Sequence, residues 1–159
     1  MTVLTTIIHM FFIAHRGNLN GPNPAEENKP DYIADTMKSG YDCEIDVWVV
    51  DNMVYLGHDA PQYVISLDWL QLHSSKLWCH AKNLAAFEFL LDHDLRCFGH
   101  DNDHYVLTST LDIWAFPGQP LTSNTICVMP ERVAYTNAEL SKCKAICTDL
   151  VIPYKKKLA

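Results

Sequence analysis

Four apolar runs in this chain stop abruptly on polar residues: "FFIAH" before Arg16, "CEIDV", "KLWCHAK" and "AICTD". Imidazoles, carboxylates and ammonium groups are expensive to bury unless they are paired or used. A fold that gathers them must therefore bring several strand ends together. In the first half the runs alternate with helix-like segments. "NKPDYIADTMKSG" predicts a helix with Asn28 as its cap, Pro30 in its first turn and Gly40 as its stop. "SLDWLQLHS" predicts another capped by Ser66, and "NLAAFEFLLDHD" a third capped by Asn83. Repeated strand–helix alternation predicts a parallel sheet, open or closed into a barrel. In such folds the carboxyl ends of the strands form the ligand face.

The second half changes character. "RCFGHD", "HYVLTS", "IWAFPG" and "TICVMPE" follow one another with little room for helices. A parallel crossover needs a dozen or more residues, so "YVLTSTLDIWAF" predicts an antiparallel hairpin turning near Thr110–Asp112. "TNAELSKC" predicts a short helix, "AICTDLV" a last strand and "YKKKLA" a solvated tail. A full eight-fold barrel commonly needs more than about 200 residues, and this chain has 159. The expectation is one domain over residues 1–159, a reduced barrel with an irregular, helix-poor second half. Missing helices would leave apolar strand surface uncovered, and such patches mark association sites. A homo-oligomer covering part of residues 95–131 is one consequence.

Hydrophobic residues make up 48% of the chain and charged residues 19%, a globular balance. Twelve basic against nineteen acidic residues give a net charge of −7 with histidine neutral. That excludes a general nucleic-acid binder, which needs a basic face, but not a site for one small anion. No apolar stretch reaches the ~18 residues of a membrane span. "MTVLTTIIHMFF" lacks the basic start and small-residue cleavage site of a signal peptide and reads as the lead-in to the first strand. Six cysteines without a CxxC pair predict buried core thiols, and a reducing, cytoplasmic location.

Glu44 and Asp46 are two apart on a predicted strand and so point the same way. Either that face is exposed, or a cation or shared proton separates the carboxylates. His58 ends the next extended run in "GHD". His80 and Lys82 end another two apart, and Asp149 ends the last.

"AHRGN", then "EENKPDYIADTMKSGYDCEIDVWV", then "VYLGHD" resembles the opening of the glycerophosphodiester phosphodiesterase family over about residues 12–59. That family reads HRG, EN, a helix, a glycine, E-x-D and HD. "CKAICTDLVIPY" is similar to its closing strand, and "KLWCHAK" stands where it has E-x-K. The resemblance implies a TIM-barrel phosphodiesterase of the phospholipase C-like type, with a divalent cation (Mg²⁺, Ca²⁺ or Mn²⁺). It implies His15 and His58 as the acid–base pair, Arg16 and Lys82 at the phosphate, and Glu44 and Asp46 on the metal. An adjacent substrate hydroxyl attacks first in this family, giving a cyclic phosphate.

Two departures stand out. Only 21 residues separate His58 from His80, so the insertion expected to shape the glycerol pocket is absent. His80 also replaces the expected glutamate, which predicts an imidazole metal ligand and a preference for Mn²⁺- or Zn²⁺-like ions over Mg²⁺ and Ca²⁺. The competing role for His80 is a hydrogen bond to a ligand or substrate.

Weaker candidates are Trp114, which either stacks on substrate or belongs to the core, and Glu131 beyond "VMP". Glu27 of the "EN" motif is a further candidate for the metal's surroundings. "GHDNDHY", with His100, Asp101, Asp103 and His104, is either a ligand loop or simply polar. The function expected is metal-dependent hydrolysis of a small or lipid-derived phosphodiester. The alternatives are a lyase that stops at the cyclic phosphate and a non-catalytic phosphate-ligand binder.

Overall fold

The computed structural model describes residues 9–159; most of the "MTVLTTIIHMFF" lead-in lies outside the described residues. Ten strands form one curled sheet in a mixed α/β arrangement. β1 (Phe11–His15) pairs in parallel with β2 (Asp42–Val50) on one side and β10 (Ala145–Thr148) on the other. Beyond β2 lie β5 (Leu77–Ala81) and β6 (Cys97–Phe98), both parallel to it. Beyond β10 lie β9 (Thr125–Val128) and β8 (Ile113–Ala115), again parallel, and then β7 (Tyr105–Leu107), antiparallel to β8. β3 (Met53–Leu56) and β4 (Tyr63–Ile65) fold back as antiparallel strands on the far end of β2.

The curl brings opposite ends of this order together. Ser109, just past β7, donates its backbone N–H to the Cys97 carbonyl at 2.8 Å, and its hydroxyl accepts from the Cys97 N–H at 2.9 Å. The result is a partial barrel.

Side-chain alternation divides the apolar residues into layers. Ile13, Trp78, Phe98, Trp114, Ile126 and Cys147 meet inside the curl. Cys43, Ile45, Val47, Cys79 and Ala81 point outward. They pack under α1 (Pro30–Lys38), α2 (Leu67–His73) and α3 (Leu84–Asp92), which contribute Ile33, Leu70 and Leu90. Ser66 and Asn83 cap α2 and α3 as expected, accepting from Trp69 N and Ala86 N. Gly40 stops α1 with φ +97°. Asn28 does not cap α1. Lys29 holds the cap position without a side-chain bond to the helix N–H groups, and Asn28 is left-handed, with its amide spent elsewhere.

The second half has the expected hairpin, β7–β8, turning through residues 108–112. Between β6 and β10, among the described residues, lie one α-helix, α4 (Asn137–Leu140), held by a capping box of Thr136 and Glu139, and one 3₁₀ turn, Pro130–Arg132. The expected solvated tail is instead a helix, α5 (Val151–Lys157). Val151 is buried, and Tyr154 and Leu158 pack against Leu140 and Ile146 while the lysines stay exposed. Pro153 falls in the first turn, where its missing N–H costs nothing, so this apolar face can dock. The hairpin leaves Tyr105, Leu107 and Leu111 exposed. All six cysteines are free and buried. Among the described residues no helix is long and apolar enough to cross a membrane.

Candidate active site

Strand register places the polar groups. His15, Glu44 and Trp78 are neighbours across β1, β2 and β5, and Asp46, His80 and Phe98 are neighbours one layer nearer the carboxyl ends. The apolar positions between them point outward, so Glu44 and Asp46 do share a face, and it faces inward. They are 2% and 1% exposed.

β1 ends in a sharp turn. Arg16 is left-handed (φ +53°) and Gly17 has φ +91°. A Cβ on Gly17 would meet the Tyr32 ring at 2.8 Å, so only glycine fits. This turn aims His15 and Arg16 at different carboxylates. His15 Nδ1 lies 2.8 Å from Asp149 Oδ1 and its Nε2 3.8 Å from Glu44 Oε2. Burial acts to lower the His15 pKa, but the hydrogen bond to Asp149 and the charge of Glu44 outweigh it and raise the value. Burial acts the other way on Asp149, whose pKa is nonetheless lowered by His15 and Asn18. Arg16 spans Glu27 (3.3 Å) and Asp46 (Nε to Oδ2, 3.2 Å).

Glu44, Asp46 and His80 bring one ligand atom each within 4.8 Å of one another. His80 Nδ1 is 3.2 Å from Asp46 Oδ1 and 3.8 Å from Glu44 Oε1. Lys82 Nζ is 3.7 Å from the same Asp46 oxygen. Burial and the neighbouring Asp46 raise the Glu44 pKa. Burial would raise Asp46 as well, but His80, Arg16 and the Asn28 amide hold it well below the carboxylate range. Asp46 Oδ1 is buried with no donor aligned on it. An orphaned carboxylate oxygen beside a second carboxylate and an imidazole suits a divalent cation of borderline character. On these grounds the donor set fits a metal.

His15, Arg16, Glu44 and His80 line a cavity of ≈ 340 Å³ together with His58 and Lys82, whereas Asp46 is not among its lining residues. His58 arrives on the turn after β3, its side chain 44% exposed and its Nδ1 2.6 Å from Asp59. Trp114 is 3% exposed and packs on Phe98 (ring centroids 4.3 Å apart) and Trp78, so most of its surface is core and only part meets the cavity. From "GHDNDHY", His100, Asp101 and Asp103 line the cavity and His104 does not. The His100 ring stacks on His80 with centroids 5.1 Å apart. Burial and His80 lower the His100 pKa.

Glu131 does not line the cavity. It accepts from Thr148 Oγ1 (2.8 Å) and Asp149 N (3.1 Å), fixing the end of β10, while its neighbour Arg132 reaches the cavity. Glu27 accepts from Asn18 and binds Arg16, and is not among the clustered ligand atoms.

Asn18, Asn28 and Asp149 belong to the site; from the sequence Asn28 is expected only as a helix cap and Asp149 only as a polar strand end, and Asn18 has no expected role. Asn18 donates to both Glu27 (2.9 Å) and Asp149 (2.8 Å). Asn28 donates to Asp46 Oδ2 (2.9 Å) and accepts from Asp46 N (3.0 Å). Both asparagines sit inside the quoted motifs, "HRGN" and "EEN", which is the signal that marks them. No family model, curated protein or solved structure matches the chain.

Proposed function

We propose that this protein is a metal-dependent phosphodiesterase on a reduced phospholipase C-like barrel. The observation that carries the reading is the inward cluster of Glu44, Asp46 and His80, with the unaligned Asp46 oxygen at its centre and Lys82 3.7 Å from that oxygen. Two buried carboxylates repel each other and raise the Glu44 pKa. Such a pair destabilises a fold and is kept where it holds something.

Glu44, Asp46 and His80 would hold the cation, which when bound neutralises phosphate charge and polarises the P–O bonds. Arg16 and Lys82 bring further positive charge to that side of the cavity. Among the described residues no serine, threonine or cysteine side chain lines the cavity, so the attacking oxygen comes from water or from a substrate hydroxyl. His15 and His58 exchange the proton work: one takes the proton of the attacking hydroxyl, the other returns a proton to the leaving alkoxide. Asp149 fixes the His15 tautomer by accepting from Nδ1, which leaves Nε2 toward Glu44 and the cavity.

Phosphorus NMR of a glycerophosphodiester incubated with the protein and Mn²⁺ tests the reading. A phosphomonoester supports hydrolysis, and an accumulating cyclic phosphate supports the lyase. Unchanged diester, over a panel of diesters and with Mn²⁺ binding measured by calorimetry, leaves a ligand-binding role. His80→Glu should improve relative use of Mg²⁺ or Ca²⁺. Unchanged metal affinities and preference would remove His80 from the ligand set.

A further inference from the structure

The buried and half-buried charged groups of the cavity gather on one side. His15, Glu44, His80 and Lys82 come from β1, β2 and the end of β5. The opposite wall is built by Val106, Trp114, Phe116, Val128 and Met129, from the hairpin and the end of β9, with Phe98 at its base. None of these side chains is charged. The single side-chain nitrogen or oxygen among them, Trp114 Nε1, is itself buried. This wall therefore presents no side-chain hydrogen-bonding group to a ligand. The charged lining groups beyond it, Arg132, Asp101 and Asp103, are exposed.

A phosphodiester carries two ester groups on one phosphoryl centre. With the phosphoryl held at Arg16 and Lys82, as the proposed function has it, one ester group faces the uncharged wall. A polyol there would shed water from its hydroxyls without regaining hydrogen bonds, which costs affinity. An alkyl or aryl group there gains by burying apolar area. We infer that the protein selects phosphodiesters with one apolar ester group, of aryl or short alkyl size, seated against Val106, Phe116 and Val128. This inference rests on the phosphodiester reading of the same site. A cavity of ≈ 340 Å³ lies at the small end of ligand sites, which fits a ring or short chain and not a full acyl tail.

The test is calorimetric binding of two phosphonates to the Mn²⁺-loaded protein: monomethyl benzylphosphonate and monomethyl 2,3-dihydroxypropylphosphonate. Carbon replaces the ester oxygen in both, so neither is turned over at that bond. The benzyl compound should bind about 10-fold tighter, the difference expected from burying one or two methylenes' worth of apolar surface. Phe116→Ser and Val106→Ser, both at partly buried positions, should each bring the ratio toward one while the thermal midpoint shows a folded protein. Lys82→Ala should weaken both ligands and leave the ratio unchanged. Equal affinities, tighter binding of the dihydroxypropyl compound or no binding of either would overturn the apolar seat. Turnover is read separately by phosphorus NMR. A retained ratio without turnover of any diester upholds the seat and removes the catalytic reading. Turnover with a ratio of one does the reverse.

Discussion

The two sides of the curled sheet obey the same alternation and use it differently. On the β1–β2–β5 side the inward positions nearest the carboxyl ends are His15, Glu44, Asp46 and His80, and three helices cover the outward face. On the β8–β9 side the equivalent inward positions are Trp114, Ile126 and Val128. Its hairpin strand β7 carries exposed Tyr105 and Leu107. On its inner face one side concentrates charge at a cost in stability, while the facing inner surface is apolar. Inside the curl, charged and apolar side chains are thus separated around the ring.

The sharpest way to break this comparison is to strike each side and ask which property falls. His15→Ala or His58→Ala should lower turnover by roughly 10²–10⁴-fold if each moves a proton. His58→Ala should leave the thermal midpoint unchanged, since that side chain is half exposed. Near-normal turnover in both variants across a diester panel would refute the acid–base assignment. Trp114→Ala should do the opposite and cost about 3–5 kcal/mol of stability, as large-to-small changes in a core do. Chemical denaturation measures it, and a loss below ~1 kcal/mol would mean that the apolar side does not carry the fold.

Asp149→Asn sharpens the contrast within the polar side. The His15 pKa is raised and that of Asp149 lowered by their mutual contact. The raised histidine stabilises below its unfolded value of ~6.5, and that contribution is lost as pH rises through its folded value. The lowered aspartate stabilises above its unfolded value of ~3.9, lost as pH falls through its folded value. Wild type should therefore exceed the variant most between about pH 4 and 6.5, by about 1–2 kcal/mol. Proton NMR of the metal-free variant should also show the His15 pKa lowered. A difference in stability that does not vary with pH would argue against the charged pair.

Glu44→Gln is the smallest expected change and has the reverse sign. The raised Glu44 pKa means that its ionised form destabilises the metal-free fold at neutral pH. The amide should raise metal-free stability by about 1 kcal/mol and abolish Mn²⁺ stabilisation. Thermal scans with and without Mn²⁺ measure both, and a stability loss without metal would show the carboxylate to be structural.

The parts legible in the sequence were those governed by local rules. Caps at Ser66 and Asn83, the stop at Gly40 and the antiparallel hairpin all follow from residues within a few positions of one another. The strand-end polar groups were legible as a set because strand period places them on one face. Whether the Glu44–Asp46 face was inner or outer was not legible, because it depends on which side the helices cover. Asn28 misled for a related reason. Its local context suits a cap, but a buried Asp46 offered a stronger partner 18 residues away. The Asn18–Asp149 bond joins residues 131 positions apart, a distance that no spacing rule spans. β4 follows Pro61 and is only three residues long, too short for a periodic signal. α5 hid behind its lysines, since only Val151, Tyr154 and Leu158 reveal its apolar face.

The six buried cysteines have one practical consequence. Burial pushes the thiols of Cys43, Cys79, Cys127 and Cys147 far up, that of Cys143 to about 11, and raises that of Cys97. A thiol reagent attacks the thiolate, so the folded protein should resist alkylation at every one of these positions. Cys43 and Cys79 lie under the helices, Cys147 within the curl, and Cys127 and Cys143 beside α5. Their labelling rates, resolved by mass spectrometry, would time the opening of each layer separately. The molecule thus carries an internal clock for its own unfolding, readable without adding a probe.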